Sequence, residues 1–258
     1  MRPRRLAPLL PLLLAGLSSV TGCASSYVVP GRAADMNVFL DPDLRQAYAR
    51  QAASPLPARI AVVRVQEPGY RSHTADGYGQ GRYSVVTVRD VEDEDGAGRI
   101  GALPDVAGVV ALNRLVLSSS LQTDRELRVA AARLGADMLL IYTFDTGYRV
   151  ADGLRPLTVV SLGLFPTKVA HVTTTASALL MDVRTGYVYG SAETTSRRSP
   201  LANAWTSADA VDGSRRTTER DALGKLVTDF ERIWPQIVAQ RRQSLARRTG
   251  PRMSTEGG

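Results

Sequence analysis

The sequence predicts an α/β (α+β) fold: a compact mixed β-sheet with packed helices, among them a long C-terminal amphipathic helix. Three observations predict it. Arg59-Ile-Ala-Val-Val-Arg-Val65 is short, β-branched and preceded by proline, the signature of a strand. A helical pattern over Asp124–Gly135 ends in Leu-Gly-Ala-Asp and feeds the apolar run Asp137–Phe144, a typical α-to-β connection. Over Thr218–Arg248, Leu223, Leu226, Val227, Phe230, Ile233, Trp234, Ile237 and Val238 follow the helical period.

The remaining elements follow in order. Ser84–Val88 reads as a second strand, between a glycine-rich polar loop (Glu67–Arg82) and an acidic stretch (Asp90–Gly101) read as a solvated loop. Val106–Ser118 is apolar and fits neither period. In the helix, Asp124 is expected to cap, Leu127, Ala130, Ala131 and Leu134 to face the core, and Gly135 to stop it. Thr158–Phe165 is an apolar run closed by Pro166. Val169–Val183 and Tyr187–Ser196 read as a β-hairpin turning at Asp182-Val-Arg-Thr-Gly186, where the aspartate bonds the turn backbone and the glycine tolerates positive φ. Ser199–Arg216 is polar and reads as a loop. Pro235 is expected to kink the last helix.

The 258 residues are 44% hydrophobic, enough for a true core. The net charge is +7, carried almost wholly by arginine, since Lys168 and Lys225 are the two lysines. Such a bias reflects base composition better than a nucleic-acid surface, and no nucleic-acid partner is expected. One cysteine excludes an internal disulfide, and one cysteine with two distant histidines, His73 and His171, does not make a structural zinc site.

The first residues carry the most specific signal. Arg2, Arg4 and Arg5 precede an apolar stretch, Leu6–Leu17, and then Ser18, Ser19, Val20, Thr21, Gly22 and Cys23. Positive, apolar and small residues in this order form a secretory signal. The apolar run is too short for a spanning helix, which needs about twenty residues. Val20-Thr21-Gly22-Cys23 resembles the lipobox of bacterial lipoproteins. That resemblance implies cleavage between Gly22 and Cys23, a diacylglyceryl group on the Cys23 sulfur and acylation of the new amine. The partner so implied is membrane lipid; each buried methylene contributes about 0.8 kcal/mol to attachment. Ala24 and Ser25 follow in place of the aspartate that favours inner-membrane retention in that family, which implies an outer-membrane position facing the periplasm. Loss of the signal removes three arginines and no acid, leaving +4.

The expected organisation is a signal peptide (1–22), a lipidated tether (23–57) with one short helix begun by Asp41-Pro42, an α/β domain (58–240) and a basic disordered tail (241–258). Arg59–Val65, Ala130–Tyr142 and Ala176–Thr194 together resemble the curli-secretion lipoproteins, the lipoprotein activators of penicillin-binding proteins and the N-terminal domain of the Tol-system propeller protein. The resemblance implies a compact α/β domain with a mixed sheet, and says little about function. Two membrane-spanning hairpins of the curli channel have no obvious counterpart.

No catalytic, cofactor or metal residues are expected. Gly77-x-Gly79-x-Gly81 lacks the lysine and helix of a phosphate loop. Asp90, Glu92, Asp93, Glu94 and Asp95 lack the order of a calcium loop. His171 reads as a hydrogen-bonded strand histidine. Three functions remain in view: a non-enzymatic envelope lipoprotein binding a protein partner; a homo-oligomeric export pore or ring, with Leu157–Phe165 against lipid or a neighbour; and a wall or lipid hydrolase built from scattered acids and His171.

Overall fold

The computed structural model of the protein describes residues 31–36, 48–92, 94–152, 168–198, 201–202 and 208–249. The elements are β1 (Ala58–Gln66), β2 (Gly77–Tyr78), β3 (Gln80–Gly81), β4 (Ser84–Val86), α1 (Glu94–Gly101), β5 (Val106–Ala111), β6 (Ser120–Leu121), α2 (Asp124–Arg133), β7 (Met138–Asp152), β8 (Lys168–Asp182), β9 (Val188–Arg198), β10 (Leu201–Ala202) and α3 (Ala208–Thr249).

The main sheet is mixed. β1 runs parallel to β5 and β7, while β4 pairs antiparallel with its C-terminal end. β8 lies antiparallel between β7 and β9, and β10 extends the β8 edge. β1 is apolar nearly throughout because both faces of the sheet are covered. Its odd residues Ala61, Val63 and Val65 join Leu139, Ile141 and Met181 beneath α2, which contributes Leu127, Ala130 and Ala131. Even residues Ile60 and Val62 join Met138, Leu140, Ala178 and Leu180 beneath α1 and α3. Strand alternation thus sorts one sequence run into two cores.

α2 begins one residue earlier than its aspartate suggests. Thr123 is the N-cap, and Thr123 with Glu126 makes a capping box in which each bonds the other's backbone N–H. Thr123→Ala is expected to cost about 1 kcal/mol, read as a lower midpoint in urea denaturation. The β8–β9 turn is as expected: Asp182 Oδ1 accepts from the Arg184 and Thr185 amides, and Gly186 has φ of +69°.

Three stretches differ from expectation. Much of the acidic segment is α1, not a solvated loop. Ile100 is buried against the sheet, and Arg99 reaches α3 through Glu231 (2.6 Å) and Thr228 (2.9 Å). Of the polar stretch Ser199–Arg216, Leu201–Ala202 forms β10 and residues 208–216 already belong to α3, where Asp212 and Arg215 are buried in an ion pair that a hydropathy pattern cannot register. The basic end is helical to Thr249: Arg241 is buried and donates to the Ser54 carbonyl (2.7 Å), and Arg242 holds both Asp105 oxygens at 2.9 Å. α3 passes through Pro235 without a break in the helix.

Parts of the expected tether lie against the domain. Ala34 is buried, its amide donates to Thr143 Oγ1 (3.0 Å), and Ala33 bridges Gln66 at the C-terminal end of β1. At the opposite end, Ser54 is wholly buried, and the Ala53 and Ser54 amides both donate to Asp182 Oδ2 at 2.7 Å. The expected helix start at Asp41-Pro42 and the apolar run Leu157–Phe165 lie outside the described residues. The β7–β8 register continues to Asp152 opposite Lys168, so that run joins the two paired ends.

Candidate binding cavity with a charged wall

α3 lies over β8 and β9, and α1 lies over β5. The strands between them, β1 and β7, are left with a gap above. A cavity of about 280 Å³ fills it. Its floor is Val62, Leu140, Ala178 and Leu180, and its α3 wall is Leu223, Leu226, Val227, Phe230 and Ile233. Small residues create the space: Ala178 and Ala192 sit opposite each other on β8 and β9, with Gly190 alongside. Exposed Val88, Arg89 and Ala97 mark its mouth. The cavity is open to water at this mouth.

Arg64 stands where the cavity turns polar. It occupies the next even position of β1 after Ile60 and Val62, so strand geometry sends it into the α3 side of the sheet, where it is 2% exposed. Its guanidinium lies over the rings of Phe144 (4.8 Å) and Tyr70 (5.4 Å). Nη1 meets Asp90 at 3.0 Å and Glu92 at 3.7 Å, while Nη2 meets Glu219 at 3.5 Å and donates to the Tyr70 hydroxyl at 3.0 Å. Arg64 Nε is buried without a partner. Tyr142 donates to Glu92 Oε1 (2.7 Å), closing the wall.

A second buried arginine completes the cluster. Asp212, Arg215 and Glu219 lie three and four residues apart on α3, hence on one face. Arg215 binds Asp212 (2.9 Å), Glu219 (2.6 Å) and Asp90 (2.8 Å). Thr74 donates to Asp90 and accepts from Arg215, and Thr146 donates to Glu219 (2.9 Å). The same helical stripe continues as Ala222, Leu226, Phe230, Trp234 and Ile237 and ends at Arg241.

These charges are poised differently. Burial would raise the Asp90 carboxyl, but Arg64, Thr74 and Arg215 outweigh it and hold it below the ordinary aspartate range. Burial wins at Glu219, which is pushed above the ordinary glutamate range despite both arginines. Burial, then the neighbouring Glu92 charge, pushes Tyr142 well above an ordinary phenol. Each carboxylate is thus engaged with an arginine or a hydroxyl.

The other residues singled out in the sequence do not join this cluster. Cys23, Gly22 and Asp93 lie outside the described residues. His73 is exposed in the loop before β2, and His171 is exposed on β8 opposite Arg149. Gly79 and Gly81 take positive φ where the chain passes Leu121. Among the described residues, no group of three or more His, Cys, Asp or Glu side chains is placed to hold a metal ion. Sequence reading missed Arg64, Arg215 and Glu219. Their signals were a charge inside an apolar strand, and charges in phase with the apolar stripe of α3.

No family model matches the chain, and no curated protein does. Among solved structures, a Xanthomonas campestris protein of family DUF330 is similar at 12% identity, covering 76% of this chain and 94% of that one, with a TM-score of 0.35. A Neisseria meningitidis lipoprotein is similar at 16% identity over 66% of this chain and 99% of its own, TM-score 0.27. A hypothetical protein from Chlamydia trachomatis is similar at 8% identity over 66% and 95%, TM-score 0.27.

Proposed function

We propose that the chain is an acylated lipoprotein of the bacterial envelope whose α/β domain is a non-enzymatic binding module. It faces the periplasm from the outer membrane and engages a protein partner in envelope assembly, secretion or wall synthesis. The observation that carries the binding reading is the division of labour at the cavity. The carboxylates beside it are engaged in ion pairs and hydrogen bonds, and the floor and α3 wall of the concave surface are apolar, with its polar residues gathered at one side and the mouth. Such a surface selects by shape and apolar contact. The membrane half of the reading rests on Val20-Thr21-Gly22-Cys23 and on the residues after it. Among the described residues, no helix is long and apolar enough to cross a membrane.

Cys23→Ala is expected to abolish incorporation of labelled palmitate and to leave the precursor uncleaved, whereas the wild-type chain partitions with membranes. An unmodified Cys23 in the mature wild-type chain, seen by mass spectrometry, would refute the anchor. Crosslinking in cells, followed by identification of what is attached, tests the partner. Recovery of no envelope protein above background would refute it.

A further inference from the structure

We infer that the cavity between α1 and α3 is a binding site for one aliphatic chain, of the kind carried by fatty acids and membrane phospholipids. This deepens the binding reading of that same cavity and rests on it, while the protein partner is scored separately by the crosslinking in cells. The volume suits such a ligand. A dry apolar cavity of about 150 Å³ admits benzene. At 280 Å³ this one has room for nearly twice as much hydrocarbon, about a dozen carbons in a file.

The lining suits it as well. Val62, Leu140 and Leu180 below, with Leu226, Val227 and Phe230 above, offer mainly aliphatic contact; the two rings of the lining, Phe230 and Tyr142, stand on different elements, and such a surface suits a flexible chain better than a flat aromatic ligand. The cavity also runs between two layers of the fold and lies in the main α3-side core, so its walls are held by Trp234 and Ile237 on α3 and by Ile100 on α1. Its mouth carries Thr87, Val88 and Arg89, where a polar head can meet water, a hydroxyl and a cation. Arg64 and Glu92 lie at the polar part of the wall, engaged with each other, Arg64 also with Asp90 and Glu92 also with the Tyr142 hydroxyl, so they set a boundary to the apolar space instead of adding free charge to it.

The test uses the full chain in cells. Cells expressing it are fed a long-chain fatty acid bearing a diazirine, irradiated, and the protein is purified and digested. Light-dependent adducts are expected on peptides spanning Leu223–Ile233 or Val86–Ala97. Label on Cys23 is independent of light and is read on a separate peptide, so acylation and cavity binding are scored apart. The adduct mass distinguishes a free acid from a phospholipid; either supports the site. Ala178→Leu fills the floor and is expected to lower the adduct about tenfold, and Ala192→Leu, entering from β9, to act likewise. Both are expected to melt at or above the wild-type temperature, which separates occlusion from unfolding. Two results overturn the inference: no light-dependent adduct on those peptides in the wild-type chain, or adducts undiminished in the two well-folded variants.

Discussion

Replacing Arg64 with alanine is expected to destabilise the domain by about 3–5 kcal/mol, the range for breaking a buried ion pair from one side. The loss has several parts. Asp90, Glu92 and Glu219 each lose a cation, the Tyr70 hydroxyl loses its donor, and the space between the Phe144 and Tyr70 rings is emptied. Arg215 still touches Asp90 and Glu219, so their charges are not abandoned outright. Arg64→Lys is expected to recover only part of the loss, because an ammonium cannot span three carboxylates and a phenol as the guanidinium fork does. Thermal or urea denaturation reads both. A double-mutant cycle with Glu219→Gln should show coupling, since the two side chains share one network. Strict additivity would mean that the cluster does not act as a unit.

Asp182→Ala is expected to cost a similar amount, about 3–5 kcal/mol, since hydrogen bonds to a charged group contribute about 1.5–3 kcal/mol each but not additively. Oδ1 holds the turn amides of Arg184 and Thr185, while Oδ2 accepts from Ala53, Ser54 and the Tyr189 hydroxyl. The variant therefore frees the segment before β1 as well as loosening the turn. Hydrogen exchange should show the Ala53 and Ser54 amides losing protection first. Burial alone would raise the Asp182 carboxyl, but its amide and hydroxyl donors prevail and hold it below the ordinary aspartate range. This stabilisation is accordingly complete above the ordinary aspartate value of about 3.9 and is lost as pH falls through the lower folded value. The wild-type chain should therefore lose stability on acidification with a steeper slope than Asp182→Ala. Equal slopes in the two proteins would show that Asp182 is not the group responsible.

Elements with a strong local period were legible in the amino-acid sequence. β1, the α2-to-β7 connection, the hairpin at Asp182-Val-Arg-Thr-Gly186 and the apolar stretch of α3 rest on patterns within a dozen or so residues. Features that depend on distant partners were not. Asp90–Gly101 looked like loop because Ile100 is its sole large aliphatic besides Val91 and because Arg99 acts through Glu231, more than a hundred residues away. The first turns of α3 looked like loop because Asp212, Arg215 and Glu219 are buried as charges, and composition cannot distinguish a paired charge from a hydrated one. The cavity was illegible for another reason. It comes from small residues on separate strands and from the spacing of two helices, and a sequence records neither as a pattern.

The contact of Ala33 and Ala34 with β1 and Thr143 has a geometric corollary. Seven residues lie between Cys23 and Gly31, where the described chain reaches the domain, and so eight Cα-to-Cα steps link the two. Fully extended, they span at most about 28 Å. An acyl-anchored chain is then moored on a short leash at the Gln66 end of β1. On the proposed anchor, the domain can turn above the lipid but not wander from it.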